Sequence, residues 1–212
     1  MIKSKDDLQF YLAADKFALD KKYSKPKIND DVWKFQILLR KVEYYKNKNP
    51  SLLSIILLRA YQVRKHRLGI KLGFDIPPNV FGPGLRINHF GNIVVNGSAK
   101  VGMWCDIHQG VNIGSNNSAE GSILVPKIGS NVWIGPGAKI FGEIEIGNEV
   151  QIAANAVVNK NVADNKTVAG IPAKVINDKG TESVAVAASK AKMDEFLESY
   201  PQYKHYFKQS SK

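Results

Sequence analysis

Residues 128–158, broken every six positions, read IGSNVW IGPGAK IFGEIE IGNEVQ IAANAV V. Ile128, Ile134, Ile140, Ile146, Ile152 and Val158 open the hexads without exception. A second small or apolar column, Val132, Ala138, Ile144, Val150 and Ala156, follows each of the first five. The same beat runs earlier through Val95, Val101, Ile107 and Ile113, with Ala99, Cys105 and Val111 in the second column. A period of six fits neither the 3.6 of a helix nor the alternation of a long strand. It fits a solenoid in which each hexad is one short strand and a turn. Three hexads close a triangular coil of about 18 residues, with the aliphatic side chain pointing into the prism. Glycine beside that side chain, at Gly129, Gly135 and Gly147, predicts a turn conformation that a larger residue would obstruct.

The two runs are out of phase, because Ile113 and Ile128 are not separated by a multiple of six. The intervening segment 115–122 must leave the coil as a loop. Loops on a rigid solenoid are favoured binding sites, and a plain surface insertion is the alternative.

Outward from the repeats, residues 1–75 read as an α-helical region. Ser4 is placed to cap a first helix that has Asp6 and Asp7 in its first turn. Asp30 or Asp31 is placed to cap a second, with Val32, Phe35, Leu38, Leu39 and Val42 at helical spacing. A third begins after Pro50-Ser51 and ends near Gly69. Residues 76–177 form the repeat domain. In the tail, residues 178–212, the pattern of Met193, Phe196, Leu197 and Tyr200 predicts a helix from Ser189 that packs on a solenoid end.

The chain has 212 residues, 44% hydrophobic and 23% charged, which excludes wholesale disorder. No apolar run reaches the ~20 residues of a membrane span. The N-terminal residues carry no secretory signal, which predicts a cytoplasmic protein. The single Cys105 excludes a disulfide framework and falls in the apolar column, which predicts burial. The net charge of +11 is concentrated in residues 1–75, where 17 Lys and Arg face 8 Asp and Glu. No nucleic-acid recognition motif accompanies this excess, so it predicts a solvated basic surface that meets an acidic partner or a membrane surface.

Three segments carry a resemblance to a known family. They are Gly84-Leu85-Arg86-Ile87-Asn88-His89-Phe90-Gly91-Asn92-Ile93-Val94-Val95-Asn96-Gly97, then Val132-Trp133-Ile134-Gly135-Pro136-Gly137-Ala138, and finally Ala169-Gly170-Ile171-Pro172-Ala173-Lys174. Over residues 75–176 the chain resembles the hexapeptide-repeat acyltransferases, and more narrowly the serine acetyltransferases and their relatives in polysaccharide synthesis. The resemblance implies a left-handed parallel β-helix and acetyl-CoA as co-substrate, with no metal. It implies a homotrimer, either alone or paired through the N-terminal helices into a dimer of trimers.

The site residues follow from it. His89 matches the family's general base, a role that suits an imidazole at neutral pH. Counting back from Val95 puts His89 in an inward slot, so the coil must start irregularly there. Asp75 is the nearest match to the aspartate that orients the base, one residue closer in sequence than the family places it. Asn88 stands where the serine enzymes have an aspartate. Leu124-Val125 stand where those enzymes have the Arg-His that holds the amino acid. These departures point to a sugar or glycan-precursor hydroxyl as acceptor, with L-serine as the alternative. His108, directly after the inward Ile107, should face outward, in the acceptor pocket, at a subunit interface or as a plain surface residue. By resemblance, Ser115, Pro136, Ala154, Asn159, Lys160 and Lys174 contact coenzyme A. Two rival readings remain: a zinc hydratase, which needs three histidines where the coil offers His89 and His108, and a non-catalytic scaffold or polyanion-binding module.

Overall fold

The computed structural model describes residues 1–117, 123–183 and 189–207, so residues 118–122 of the predicted loop lie outside it. Helix α1, Lys5–Ala18, starts as expected. The Asp7 amide donates to Ser4 Oγ at 3.0 Å, and the Ser4 amide donates back to Asp7 Oδ2 at 2.9 Å. Helix α2, Asp31–Asn47, begins after Asp30, but the Asp30 carboxylate caps nothing. It accepts from Lys21 Nζ, Tyr23 Oη and the Lys27 amide, and so fastens the break between α1 and α2. Helix α3, Leu52–Leu72, runs three residues past Gly69 and stops at Gly73, whose φ of 75° no branched residue tolerates well. Gly69 is a site of close approach, since a Cβ there would lie 2.7 Å from the Phe74 carbonyl oxygen. Among the described residues, no helix is long and apolar enough to cross a membrane.

The repeats form a three-faced left-handed parallel β-helix of about five turns. Face one stacks Phe74–Asp75, Ile93–Val95, Asn112–Ile113, Lys139–Ile140 and Val157–Val158. Face two stacks Lys100–Val101, Lys127–Ile128 and Glu145–Ile146, and is extended by bridges to Phe81 and Val162. Face three stacks Arg86–Ile87, Asp106–Ile107, Trp133–Ile134, Gln151–Ile152 and Thr167–Gly170. All pairings within these faces are parallel until Ala173–Asn177 turns back antiparallel on the last strand and covers its edge. The inward residues Ile76, Phe81, Ile87, Val95, Val101, Ile107, Ile113, Ile128, Ile134, Ile140, Ile146, Ile152, Val158, Val162 and Val168 are all buried in one core.

Two sequence expectations need correction. First, the coils are not uniform. Ile134 pairs with Ile152, 18 positions on, but Ile87 pairs with Ile107, 20 positions on, and Ile152 with Val168, 16 on. The first coil carries its surplus between Ile87 and Val95, so Ile87 fills the inward slot and His89 is exposed. Second, Gly129, Gly135 and Gly147 do not have positive φ. They are small because coils stack closely: a Cβ on Gly129 would meet the Gly147 carbonyl oxygen at 2.6 Å. The segment between Ile113 and Ile128 leaves the solenoid through an antiparallel pair, Asn116 opposite Leu124 and Asn117 opposite Ile123.

The C-terminal helix α4, Lys190–Ser199, is capped by Ser189. Its Phe196 packs on Phe10 and Phe17 of α1 and on Trp104 at a corner of the second coil. The tail therefore braces α1 against the side of the solenoid, while the terminal edge is covered by Ala173–Asn177. Cys105 is buried, as its column requires, and burial pushes its thiol pKa up.

Arg40 of α2 ties the helices to the first coil. Fully buried, it donates to Asp15 Oδ2 at 2.8 Å, to Glu43 Oε2 at 3.0 Å, and to the carbonyls of Phe81 and Gly82 at 2.9 and 2.6 Å. Asp15 Oδ1 in turn accepts from the amides of Gly84 and Leu85. Arg40→Met leaves two buried carboxylates without their cation, and should destabilise the protein by ~3–5 kcal/mol in urea unfolding. A loss below about 1 kcal/mol would show that the clamp is dispensable.

Candidate active site

The in-register stacking of face three decides which side chains meet. Arg86 pairs with Asp106 and Asp106 with Trp133, while Ile87, Ile107 and Ile134 fill the interior. One residue further along, the Asn88 amide donates to the Ile107 carbonyl, the His108 amide to Ile134 and the Gly135 amide to Ile152. Asn88, His108 and Gly135 therefore form an outward column beside the column of Arg86, Asp106 and Trp133. His89 follows Asn88 at the edge leading into face one, and its neighbour Gly91 hangs from the end of α3 by an amide hydrogen bond to the Leu72 carbonyl at 2.9 Å.

The side chains of these columns form a connected cluster. Arg86 Nη1 donates to Asp106 Oδ2 at 2.8 Å. Asp106 Oδ1 lies 3.4 Å from His108 Nε2. His108 Nδ1 lies 3.3 Å from Asn88 Nδ2. The His108 ring stands edge-on to Trp133, with centroids 5.0 Å apart, and 6.1 Å from the His89 ring. Asp106 is fully buried although it points away from the prism, while His89 is exposed. Burial pushes the Asp106 carboxyl up to about 6 despite the opposing charges of Arg86 and His89. Burial first, then Arg86 and His89, pull the His108 imidazole down to about 4. His108 is therefore neutral at pH 7, and His89 is the exposed imidazole of the pair.

The other predicted residues are distributed as follows. Asp75 is exposed on the first strand of face one, paired with Val94, in a cleft with Lys65, His66 and Asn92. Among the described residues, no hydrogen bond or ion pair joins it to His89. Pro136 and Ala154 lie on the same edge as His89, between faces three and one, where the Asn155 amide donates to the Pro136 carbonyl at 2.9 Å. Ser115, Asn159 and Lys160 lie just beyond the strands Asn112–Ile113 and Val157–Val158, on the opposite edge of face one. Lys174 is exposed on the last strand of face three. Within one chain the candidate coenzyme-A residues thus occupy two edges. Leu124 and Val125, half-buried, lead from the antiparallel pair back into the coil. Arg86 and Asp106 were not singled out from sequence. Their pairing follows from a 20-residue first coil, whereas a uniform 18-residue coil sets Asp106 opposite Asn88.

Comparisons with known proteins agree with this fold. Residues 126–160 match the family model described as bacterial transferase hexapeptide (six repeats). The serine acetyltransferase of Synechococcus elongatus is 38% identical over 116 residues, which cover 54% of this chain and 47% of the relative. That of Mycobacterium tuberculosis is 40% identical over 108 residues, covering 50% and 47%. That of Haemophilus influenzae is 32% identical over 139 residues, covering 65% and 49%. The chain spans about half the length of these curated relatives. Among solved structures, serine acetyltransferase from Brucella abortus strain S19 matches with a TM-score of 0.60 and 29% identity, over 83% of this chain and 69% of that one. A serine acetyltransferase complex with CoA matches with a TM-score of 0.61 and 25% identity, over 81% and 71%. In fold and repeat sequence the chain resembles the serine acetyltransferases among hexapeptide-repeat acyltransferases.

The opposed shifts at the site have a measurable consequence. From the carboxyl's ordinary 3.8 up to about 6, folded Asp106 binds more protons than the unfolded chain, so its contribution to stability falls as pH rises. From about 4 to 6.5, folded His108 binds fewer, so its contribution rises with pH. Relative to wild type, the melting temperature of Asp106→Asn should climb from pH 4 to 6.5, and that of His108→Phe should fall. Three parallel curves in buffered thermal melts would refute both shifts.

Proposed function

We propose that the protein is an acetyl-CoA-dependent O-acetyltransferase with His89 as its general base. The observation that carries this reading is the exposed His89, next to a neutral His108 and on the same solenoid edge as Pro136 and Ala154. In the reaction the acceptor hydroxyl attacks the thioester carbonyl while its proton passes to the free imidazole nitrogen of His89. Collapse of the tetrahedral adduct breaks the carbon–sulfur bond, and the imidazolium returns the proton to the departing thiolate. Asp75 is the candidate for orienting the base, and its position on face one brings it no closer than through the segment 90–94.

Coenzyme A is proposed to lie along the solenoid, with Pro136 and Ala154 against the pantetheine and Lys160, Asn159 and Lys174 near the phosphates. Ser115 belongs to the same groove. Because these residues occupy both edges of face one, a groove completed by a neighbouring subunit accommodates all of them, which supports a homotrimer. The basic N-terminal region keeps its proposed contact with an acidic or membrane surface. Helix α3 carries Arg59, Arg64, Lys65, Arg67 and Lys71 with no acidic residue, beside exposed Leu52, Ile56, Val63 and Ile70.

The names of the relatives back L-serine as acceptor better than a sugar hydroxyl. The second reading, a sugar or glycan precursor, is kept by Asn88, Leu124 and Val125, which supply neither the carboxylate nor the guanidinium that a zwitterion would use. Thiol release from acetyl-CoA, measured with L-serine and with nucleotide sugars, tests both. His89→Ala should lose about 10²–10⁴-fold in turnover on the productive acceptor. Unchanged activity in that variant would sink the general-base assignment.

A further inference from the structure

Asp106 is the group in this cluster that base catalysis at His89 leaves unused. Its two oxygens have different surroundings. Oδ2 accepts from Arg86 Nη1 at 2.8 Å, while Oδ1 is buried and faces the buried His108 Nε2 at 3.4 Å, an ion-pair distance at which neither atom completes a hydrogen bond. An ionised carboxylate can only accept. The facing carboxylate favours the ring proton on His108 Nε2, which leaves Nδ1 with a lone pair. The atom beside Nδ1 is Asn88 Nδ2, an amide donor, at 3.3 Å. With that tautomer the Asn88 amide and the His108 lone pair face each other as donor and acceptor. The Asn88 amide nitrogen is committed to His108, and no described residue hydrogen-bonds its Oδ1.

We propose that Asp106 is a positioning residue of the acceptor site. Acting through His108, it holds Asn88 with its carbonyl oxygen offered to the acceptor beside His89. The inference rests on the acetyltransferase reading and sharpens it. A carbonyl held in one orientation recognises a hydroxyl by direction, and it offers a cationic group no ion pair. Arg86, with part of its guanidinium side exposed, adds a positive edge to the same surface. The acceptor class that this arrangement fits is a hydroxyl compound that presents a neutral hydrogen-bond donor at the point facing Asn88.

The first test needs no acceptor. Long-range nitrogen–proton NMR of the full-length, histidine-labelled protein at pH 8 reports which nitrogen of His108 is protonated. The expected result is Nε2–H in the wild type and a mixture of both tautomers in Asp106→Asn. A wild-type ring protonated on Nδ1 overturns the proposal, whatever the enzyme turns over.

The second test is kinetic, with L-serine and UDP-N-acetylglucosamine as probes. Asp106→Asn and His108→Phe should each raise the acceptor KM about tenfold and leave the acetyl-CoA KM unmoved. The double variant should be no worse than either single one, because both break the same relay. Additive effects, or a parallel rise in the acetyl-CoA KM, indicate a merely structural role and overturn the proposal. If Asp106→Asn fails to fold, His108→Phe, which keeps the ring volume, carries the kinetic arm. If the wild type uses neither probe, the acetyltransferase reading fails for those acceptors, while the tautomer still decides the orientation of Asn88.

Discussion

Backbone hydrogen bonding between successive coils determines where every candidate functional side chain stands. Every strand before Thr167–Gly170 is two or three residues long and has little stability alone. It is held because an inward aliphatic side chain stacks on the one below and because each outward neighbour donates to a carbonyl of the next coil. Outward residues therefore have no freedom to choose their company. Arg86 lies over Asp106 and Asn88 over His108 because Ile87 lies over Ile107. A cluster drawn from residues 86–89 and 106–108 is thus a product of register, and moving any member means shifting a whole coil.

Register must start somewhere, and the helices supply the anchor. Asp15 and Glu43 converge on Arg40, and the three together bind the backbone of Phe81, Gly82, Gly84, Leu85 and Asn79. Every polar atom in that clamp that reaches the first coil meets main chain, so it fixes the path of the chain a few residues before Arg86. The end of α3 does the same on the other side of His89, through the hydrogen bond between Gly91 and Leu72. His89 is therefore exposed but suspended between two fastened points. A buried ionic group of this kind has more to do with setting position than with adding net stability.

The regular part of this architecture was legible because an inward slot admits only aliphatic side chains, which print their spacing directly in the sequence. From Val95 to Val158 the slots read off without error apart from the one interruption. The first coil was not legible in the same way, since Ile76, Phe81, Ile87 and Val95 have uneven intervals and the extra residues look like any loop. That is why His89 counted as inward, and why Arg86 and Asp106 went unpaired. Gly69 was read as a helix stop, but its smallness answers to the Phe74 carbonyl, a contact remote from any local signal. Asp30 has the residue type of a cap and spends its carboxylate on Lys21, Tyr23 and Lys27. The roles of His89 and the coenzyme-A residues came from resemblance; spacing alone assigned them none.

The antiparallel pair at Asn116 and Leu124 bears on how such a protein diversifies. Its two strands leave and re-enter the solenoid side by side, so the prism below and above continues in phase. Lengthening the excursion beyond them raises the closure entropy only logarithmically, about 0.6 kcal/mol for each doubling. Insertions within a strand displace its stacked side chains, whereas a corner absorbs them, as the one between Ile87 and Val95 does. Added length at such a portal therefore leaves the stacked aliphatic core of the prism in register.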